Sequence, residues 1–168
     1  MGFFSRDIKT LNDLFIHALR AIYYAEKKIA KALPIIVDKA SDNDLKDGLE
    51  RHLDQTGIHI ERLEKTFELL GVEAETVNCP AIDGILDEAD EISDDIDDDM
   101  VMDVALIAAA QAAQHYEITR YGTLVAWARE LGRADCAELL EETLAEERAA
   151  DHTLTNLAES RIKLRSAA

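Results

Sequence analysis

The chain has 168 residues and a mass of 18.7 kDa, the size of one domain. Its 35 acidic residues outnumber its 18 basic ones, and the net charge of −17 excludes both a nucleic-acid surface built of clustered Lys and Arg and an anionic membrane surface. Hydrophobic residues at 48% are enough for a core, while only 7 Gly and 2 Pro disfavour a turn-rich β fold.

At the N-terminus, MGFFSRD reaches Asp7 and Lys9 too soon for the apolar stretch of a signal peptide. Arg6 stands where a myristoylation motif needs Ser or Thr. No apolar run approaches the ~18 residues of a membrane span. Cys79 and Cys136 are too few for a disulfide framework and point to a reducing compartment. A soluble, cytoplasmic protein is expected, with the whole of 1–168 as one helical domain.

The first long segment runs from about Thr10 to Ala40. Leu11, Leu14, Phe15, Ala18, Ile22, Ala25, Ile29, Leu33 and Ile36 recur in steps of three and four, the mark of one helix face. Pro34 lies inside this pattern and predicts a kink or local adjustment. Ser41-Asp42-Asn43 breaks the helix and offers caps to the next. The second segment runs from about Asp44 to Leu70 and stops at Gly71, as helices commonly stop at glycine.

A linker over Val72–Pro80 leads to a short amphipathic helix carrying Ile82, Ile85, Leu86, Ala89, Ile92 and Ile96. From Asp83 to Asp99 there are ten Asp or Glu and no Lys or Arg, so its other face is expected to be solvated. The run Asp94-Asp95-Ile96-Asp97-Asp98-Asp99 lacks the central Gly and closing Glu of a calcium loop. Two more long helices follow, from about Met100 to Leu131 and from about Ala134 to Lys163, parted at Gly132. Four long helices, with one long connection carrying a short extra helix, predict an all-α, ferritin-like four-helix bundle.

A shift of 91 residues superposes Glu26 on Glu117, Leu49 on Leu140, Leu53 on Leu144 and Leu63 on Leu154, which suggests two related helical hairpins. Polar residues interrupt the apolar stripes at mid-height. The second helix reads Leu45, Leu49, His52, Thr56, His59, Leu63 along its seam. The first places Glu26 between Ile22 and Ile29. The third long helix brings His115 after Ala108 and Gln111, with Glu117 at its flank. The fourth runs Leu140, Thr143, Glu147, Asp151, Leu154.

A carboxylate in a core needs a partner. Taken singly, each of these groups is ordinary: an acidic residue on a solvated face, or, for His52 and His115, a core histidine hydrogen-bonded to a neighbour. Taken together across four helices they form the outline of a metal cage, with oxygen and nitrogen ligands suited to iron or manganese. Cys79 reads as a loop packing residue, Cys136 as a partly buried one, and the tyrosines and Trp127 chiefly as packing residues.

The stretches TLNDLFIHALRAIYYAEKKIAKALP, RHLDQTGIHIERLEKTFELLG, NCPAIDGILDEADE, DVALIAAAQAAQHYEITRYGTLVAWARELG and ETLAEERAADHTLTNLA span nearly the whole chain. In these residues it resembles the YciF/YciE stress-protein family, a branch of the ferritin-like superfamily. The resemblance implies a ferritin-like bundle, a homodimer and a part in stress responses. It also implies metal ligands at Glu26, His59, Glu117 and Glu147. Three residues before His59 stands Thr56 rather than Glu, and three after Glu147 stands Ala150 rather than His, with Asp151 as the substitute. The expected site is therefore Glu26, His59, Glu117, Glu147 and Asp151, holding one or two iron ions, with manganese as the alternative metal and a small oxidant such as peroxide or oxygen as reactant. No catalytic residue is assigned. The alternative is a non-catalytic, dimeric structural or interaction protein.

Overall fold

The structure is a computed structural model that describes residues 8–166, with side chains through residue 160. The reading of the first seven residues as carrying no signal peptide or myristoylation motif lies outside the described residues. Five helices follow one another: α1 (Leu11–Lys39), α2 (Asn43–Leu70), α3 (Pro80–Asp94), α4 (Asp99–Glu130) and α5 (Ala134–Ser166). Among the described residues no helix is long and apolar enough to cross a membrane.

The ends of the helices are written in local chemistry. Thr10 and Asp13 form a reciprocal capping box at the start of α1: Asp13 N donates to Thr10 Oγ1 at 3.1 Å, and Thr10 N donates to Asp13 Oδ2 at 2.9 Å. Asp42 caps α2 through Leu45 N, and Asp98 caps α4 through Val101 N. α2 stops at Gly71 with φ 67°, a left-handed conformation that costs glycine nothing, and Gly132 (φ 71°) serves the turn after α4 in the same way. α1 continues as one helix through Pro34, which lies on the exposed side.

α1 pairs with α2 and α4 with α5; α1 also lies beside α4, and α2 beside α5. Two contacts fix the directions. Asp103, near the start of α4, binds the α1–α2 turn, and Arg133, at the α4–α5 turn, donates to Leu69 O at the end of α2 at 2.8 Å. Neighbouring long helices are thus antiparallel, and the crossover must climb the full bundle. α3 does so against α1 and α4, held by Tyr24–Asp83 contacts near its start and by Lys39–Ser93 near its end.

The core has two apolar layers. Phe15, Leu19, Ile22, Leu63, Phe67, Leu124 and Leu140 fill one end, and Leu33, Leu45, Leu49, Leu106 and Leu154 the other. Between them lies a layer of buried polar side chains.

Candidate metal centre

Glu26, His59, Glu117 and Glu147 are each fully buried and converge from α1, α2, α4 and α5. His59 Nδ1 lies 3.2 Å from Glu147 Oε1 and 3.4 Å from Glu26 Oε1. These are ion-pair contacts without hydrogen-bond geometry. The other ring nitrogen, Nε2, is 2.9 Å from Glu146 Oε2. Arg62 grips Glu146 with a fork, NH1 to Oε2 at 2.7 Å and NH2 to Oε1 at 2.9 Å. That fork, against a smaller opposing effect of burial, holds the Glu146 carboxyl below its usual range. An ionised carboxylate accepts and cannot donate, so Nε2 carries the hydrogen and Nδ1 is the nitrogen turned toward Glu26 and Glu147.

Two groups of ligand atoms lie within 4.8 Å of one another. One is Glu26, His59 and Glu147; the other is His52, Glu117 and Glu147. Glu147 belongs to both. His52 and His59 are seven residues apart and so share a face of α2, separated by ~10.5 Å of helix rise. The two groups are therefore arranged along the bundle axis, with Glu147 between them.

The electrostatics are those of a site short of positive charge. Among the described residues, five of the six carboxylate oxygens of Glu26, Glu117 and Glu147 have no hydrogen-bond partner; the sixth, Glu26 Oε1, accepts from Tyr121 Oη at 2.5 Å. Burial, then the charges of Glu26 and Glu147, push Glu117 well above the usual carboxylate range. Burial and Glu26 likewise push the Tyr121 phenol upward. At His59 burial opposes the imidazolium, but the adjoining Glu147 and Glu26 outweigh it and raise the ring to about 10. Without a metal, these shifts favour the protonated forms of His59 and Glu117.

Of the five residues singled out from the sequence, four meet here and Asp151 does not. Asp151 faces α4, where its Oδ1 lies 3.0 Å from His115 Nε2 and accepts from Gln111 Nε2 at 3.1 Å. His115 is itself exposed, not a core histidine. The reason is that α4 is apolar on all sides, so spacing alone does not identify its inner face. That face runs Ala110, Ala113, Gln114, Glu117, Tyr121 and Leu124, and the Ala108–Gln111–His115 stripe lies outside it. His52 is buried, as expected of a core histidine, but its Nδ1 has no hydrogen-bond partner among the described residues, and it joins Glu117 and Glu147. Its heptad spacing from His59 was the available signal. Glu146 and Arg62 had only their adjacency to Glu147 and His59.

Residues 10–167 match the sequence profile of DUF892, a domain of unknown function. The chain is 40% identical to the Escherichia coli protein YciF over 153 residues, covering 90% of this chain and 92% of YciF. The chain belongs to the YciF family. The crystal structure of the E. coli stress protein YciF superposes with a TM-score of 0.89 at 39% identity, covering 93% of this chain and 99% of that one. YcfI from Rhodopseudomonas palustris also superposes at 0.89, with 53% identity over 91% of this chain and 98% of that one. The ferritin-like architecture is shared with a two-domain protein of Anabaena variabilis that carries DJ-1-like and ferritin-like domains; there the TM-score is 0.64 and identity 20%, covering 92% of this chain and 38% of that one.

Proposed function

We propose that this member of the YciF family is a cytoplasmic, ferritin-like stress protein whose buried layer holds a dinuclear carboxylate–histidine metal centre. One metal position is made by Glu26, His59 and Glu147, the other by His52, Glu117 and Glu147, with Glu147 shared. The observation that carries this reading is the set of five unpartnered carboxylate oxygens in a fully buried layer. Two like charges ~4 Å apart at an effective dielectric of ~20 repel by about 4 kcal/mol. Three carboxylates in one layer therefore call for cations, and the donor set of oxygen and imidazole nitrogen fits a divalent iron or manganese ion. Such a metal would supply one-electron chemistry toward oxygen or peroxide when bound.

The chain's own residues prepare the site for it. Glu146, braced by Arg62, fixes the His59 tautomer so that Nδ1 is directed at Glu26 and Glu147. Tyr121 donates to Glu26 Oε1 and leaves Oε2 free to bind. The apolar layers above and below exclude bulk water.

Anaerobic titration of metal-free protein with Fe(II), followed by isothermal calorimetry and elemental analysis, tests this. Two equivalents are expected for the native chain, one for His59→Ala and one for His52→Ala, and loss of both for Glu147→Ala. Absence of stoichiometric binding by iron or manganese in the native chain would defeat it.

A second reading has its own support: a non-catalytic structural module. Protonated His59 lies in ion-pair contact with both Glu147 and Glu26, so the layer has a closed solution without metal. A correctly folded chain with no bound metal in the titration above is the result this reading expects.

A further inference from the structure

Between α2 and α5 lies a cavity of about 140 Å³ whose lining grades from solvent to core. Arg51 and Thr153 are exposed, Ala150 is half-buried, and Leu49, His52 and Gln114 are buried. Gly48 on α2 has no side chain and Ala150 on α5 ends at Cβ, which keeps the space between the two helices clear. The inner end of the cavity meets the polar layer at one residue. Of the five residues in the two ligand groups, Glu26, His59, Glu117 and Glu147 are 0% exposed and His52 is 5% exposed. His52 is also the one of the five that lines the cavity. Gln114, in the same lining, precedes Glu117 by one helical turn on the inner face of α4.

Charge narrows what can pass. No Asp or Glu lines the cavity, although the chain has 35, and Arg51 does line it, so a cation is disfavoured there. Beyond His52, with a ligand atom within 4.8 Å of its ring, stands Glu147, in a layer of three buried carboxyl groups that disfavours an anion. A molecule without charge meets neither obstacle. Arg51, Gln55 and Thr153 offer it hydrogen bonds on the way in, and the small residues at Gly48 and Ala150 limit the bore to something close to water in size.

We propose that this cavity is the port by which a small uncharged oxidant, of the class of hydrogen peroxide, reaches the His52 side of the buried layer. Gly48 and Ala150 set its width, and His52 is its inner end. Its use as a port to a metal rests on the reading above; the passage itself is a property of the metal-free chain and does not depend on that reading.

The test uses the full-length, metal-free chain with a thioether as detector. Leu49→Met puts a sulfur at the buried end of the cavity, and Leu140→Met puts one in the opposite apolar layer. Both leucines are 1% exposed, so surface exposure does not separate them. Exchange of Leu for Met nearly conserves volume and leaves the fold intact. Hydrogen peroxide transfers one oxygen to the sulfur lone pair, giving the sulfoxide and releasing water. Peptide mass spectrometry over time gives each rate relative to Met100, which is 51% exposed. The sulfur of Leu49→Met is expected to be oxidised about tenfold faster, or more, than that of Leu140→Met. Adding Ala150→Leu should slow it by about tenfold while Met100 is unchanged. Gly48→Leu plugs the facing wall, where a Cβ would sit at an ordinary 3.9 Å from the Arg51 guanidinium, and should do the same. Circular dichroism shows which plugged chain keeps its helices, and that one decides. Relative to Met100, anionic peroxymonosulfate and the bulkier tert-butyl hydroperoxide should each reach the Leu49→Met sulfur about tenfold less than hydrogen peroxide does. Equal rates for Leu49→Met and Leu140→Met, a rate that a folded plugged chain does not lower, or equal access for the anion or the bulky peroxide would each overturn the proposal. Since no metal is present, failure here leaves the iron titration untouched, and failure there leaves this result standing.

Discussion

His59 Nε2 donates to Glu146 at 2.9 Å, and that single bond decides which face of the imidazole looks into the bundle. Glu146 is itself half-buried and forked by Arg62, so the orientation is set by a chain of three residues on two helices. Glu146→Gln keeps the shape but lets the amide present either an oxygen or an NH₂ to the ring. Metal affinity at the Glu26–His59–Glu147 position is expected to fall by roughly 10–100-fold, the usual cost of losing such a partner, while the His52 position is unchanged. Competition against a metal-sensitive dye resolves the two affinities. A uniform loss at both positions would show that Glu146 acts through folding and not through His59.

The metal-free protein should lose stability as pH rises. His59 goes from an ordinary value of 6.5 to about 10 in the fold. Below pH 6.5 both states carry the proton and its contribution is complete. Between 6.5 and 10 the unfolded chain has released the proton and the folded one has not, so stability falls by up to about 1.4 kcal/mol per pH unit. Glu117, also raised, has the same sign from its unfolded value upward. The melting temperature of metal-free protein is expected to drop steadily from pH 6.5 to 9.5, and His59→Gln to flatten that slope. A melting temperature rising across this range would contradict the protonated layer.

Asp103 gathers three donors at the α1–α2 turn: Ser41 N at 2.7 Å, Ser41 Oγ at 2.6 Å and Asp42 N at 3.1 Å. It is 5% exposed, so these bonds lie largely out of water. Asp103→Ala removes a charged acceptor and leaves those donors without it, at a cost of roughly 2–4 kcal/mol. Chemical denaturation should show a lower midpoint with an unchanged slope. An effect below about 0.5 kcal/mol, the usual range of a surface change, would mean that water replaces the carboxylate there.

The fold was legible because its signals are local and repeated. Gly71 and Gly132, the caps at Thr10, Asp42 and Asp98, and the stripes of α1 and α2 each mark an end or a face with its own chemistry. Glu26 and Glu147 were legible because a carboxylate inside an apolar stripe is costly, whereas Glu117, read at the flank of a stripe, came from its match to Glu26 under the 91-residue shift and from the resemblance. The side of α4 was not, since Ala108 and Ala113 look alike in sequence and only the packed bundle separates exposed from buried. The company of His52 and of Asp151 was not legible for the same cause: spacing gives a face, and which neighbour meets that face depends on helix rotation. The crossover topology set α5 so that Glu147 points inward and Asp151 meets Gln111 and His115.

Copies of the chain are expected to pair through the groove between α3 and α4. Ile85, Ala89, Ile92, Ala105, Ala108 and Ala112 line a cavity of about 270 Å³ there, with Ile92 exposed, and Met100 and Val104 are exposed on the first turns of α4. A stable interface needs roughly 1,000 Å² or more with good fit, and small residues on two long helices allow close approach. Light scattering should give twice 18.7 kDa, and Ala108→Arg should return it to 18.7 kDa without altering helicity. A native chain found only as an 18.7 kDa species at micromolar concentration would count against the dimer.

The acidic segment Asp83–Asp99 should answer to ionic strength and not to calcium. Asp83 is engaged, accepting from Tyr24 Oη at 2.9 Å and lying 3.2 Å from Lys28 Nζ, whereas the other nine carboxylates are exposed. Among the described residues the remaining cation contact is Lys39 with Asp90 at 3.9 Å. Charges so placed repel through water, and salt screens them, the Debye length shrinking to ~3 Å at 1 M. Melting temperature is therefore expected to rise from low to moderate salt, equally with sodium and potassium. Asp98 already accepts from Val101 N as the cap of α4, and a calcium loop would need a closing bidentate Glu and a central Gly that the segment lacks. Micromolar calcium should add no more than magnesium does. A large rise specific to calcium, seen in melts run side by side in the four salts, would make this segment a second metal site and displace the view of it as a solvated face.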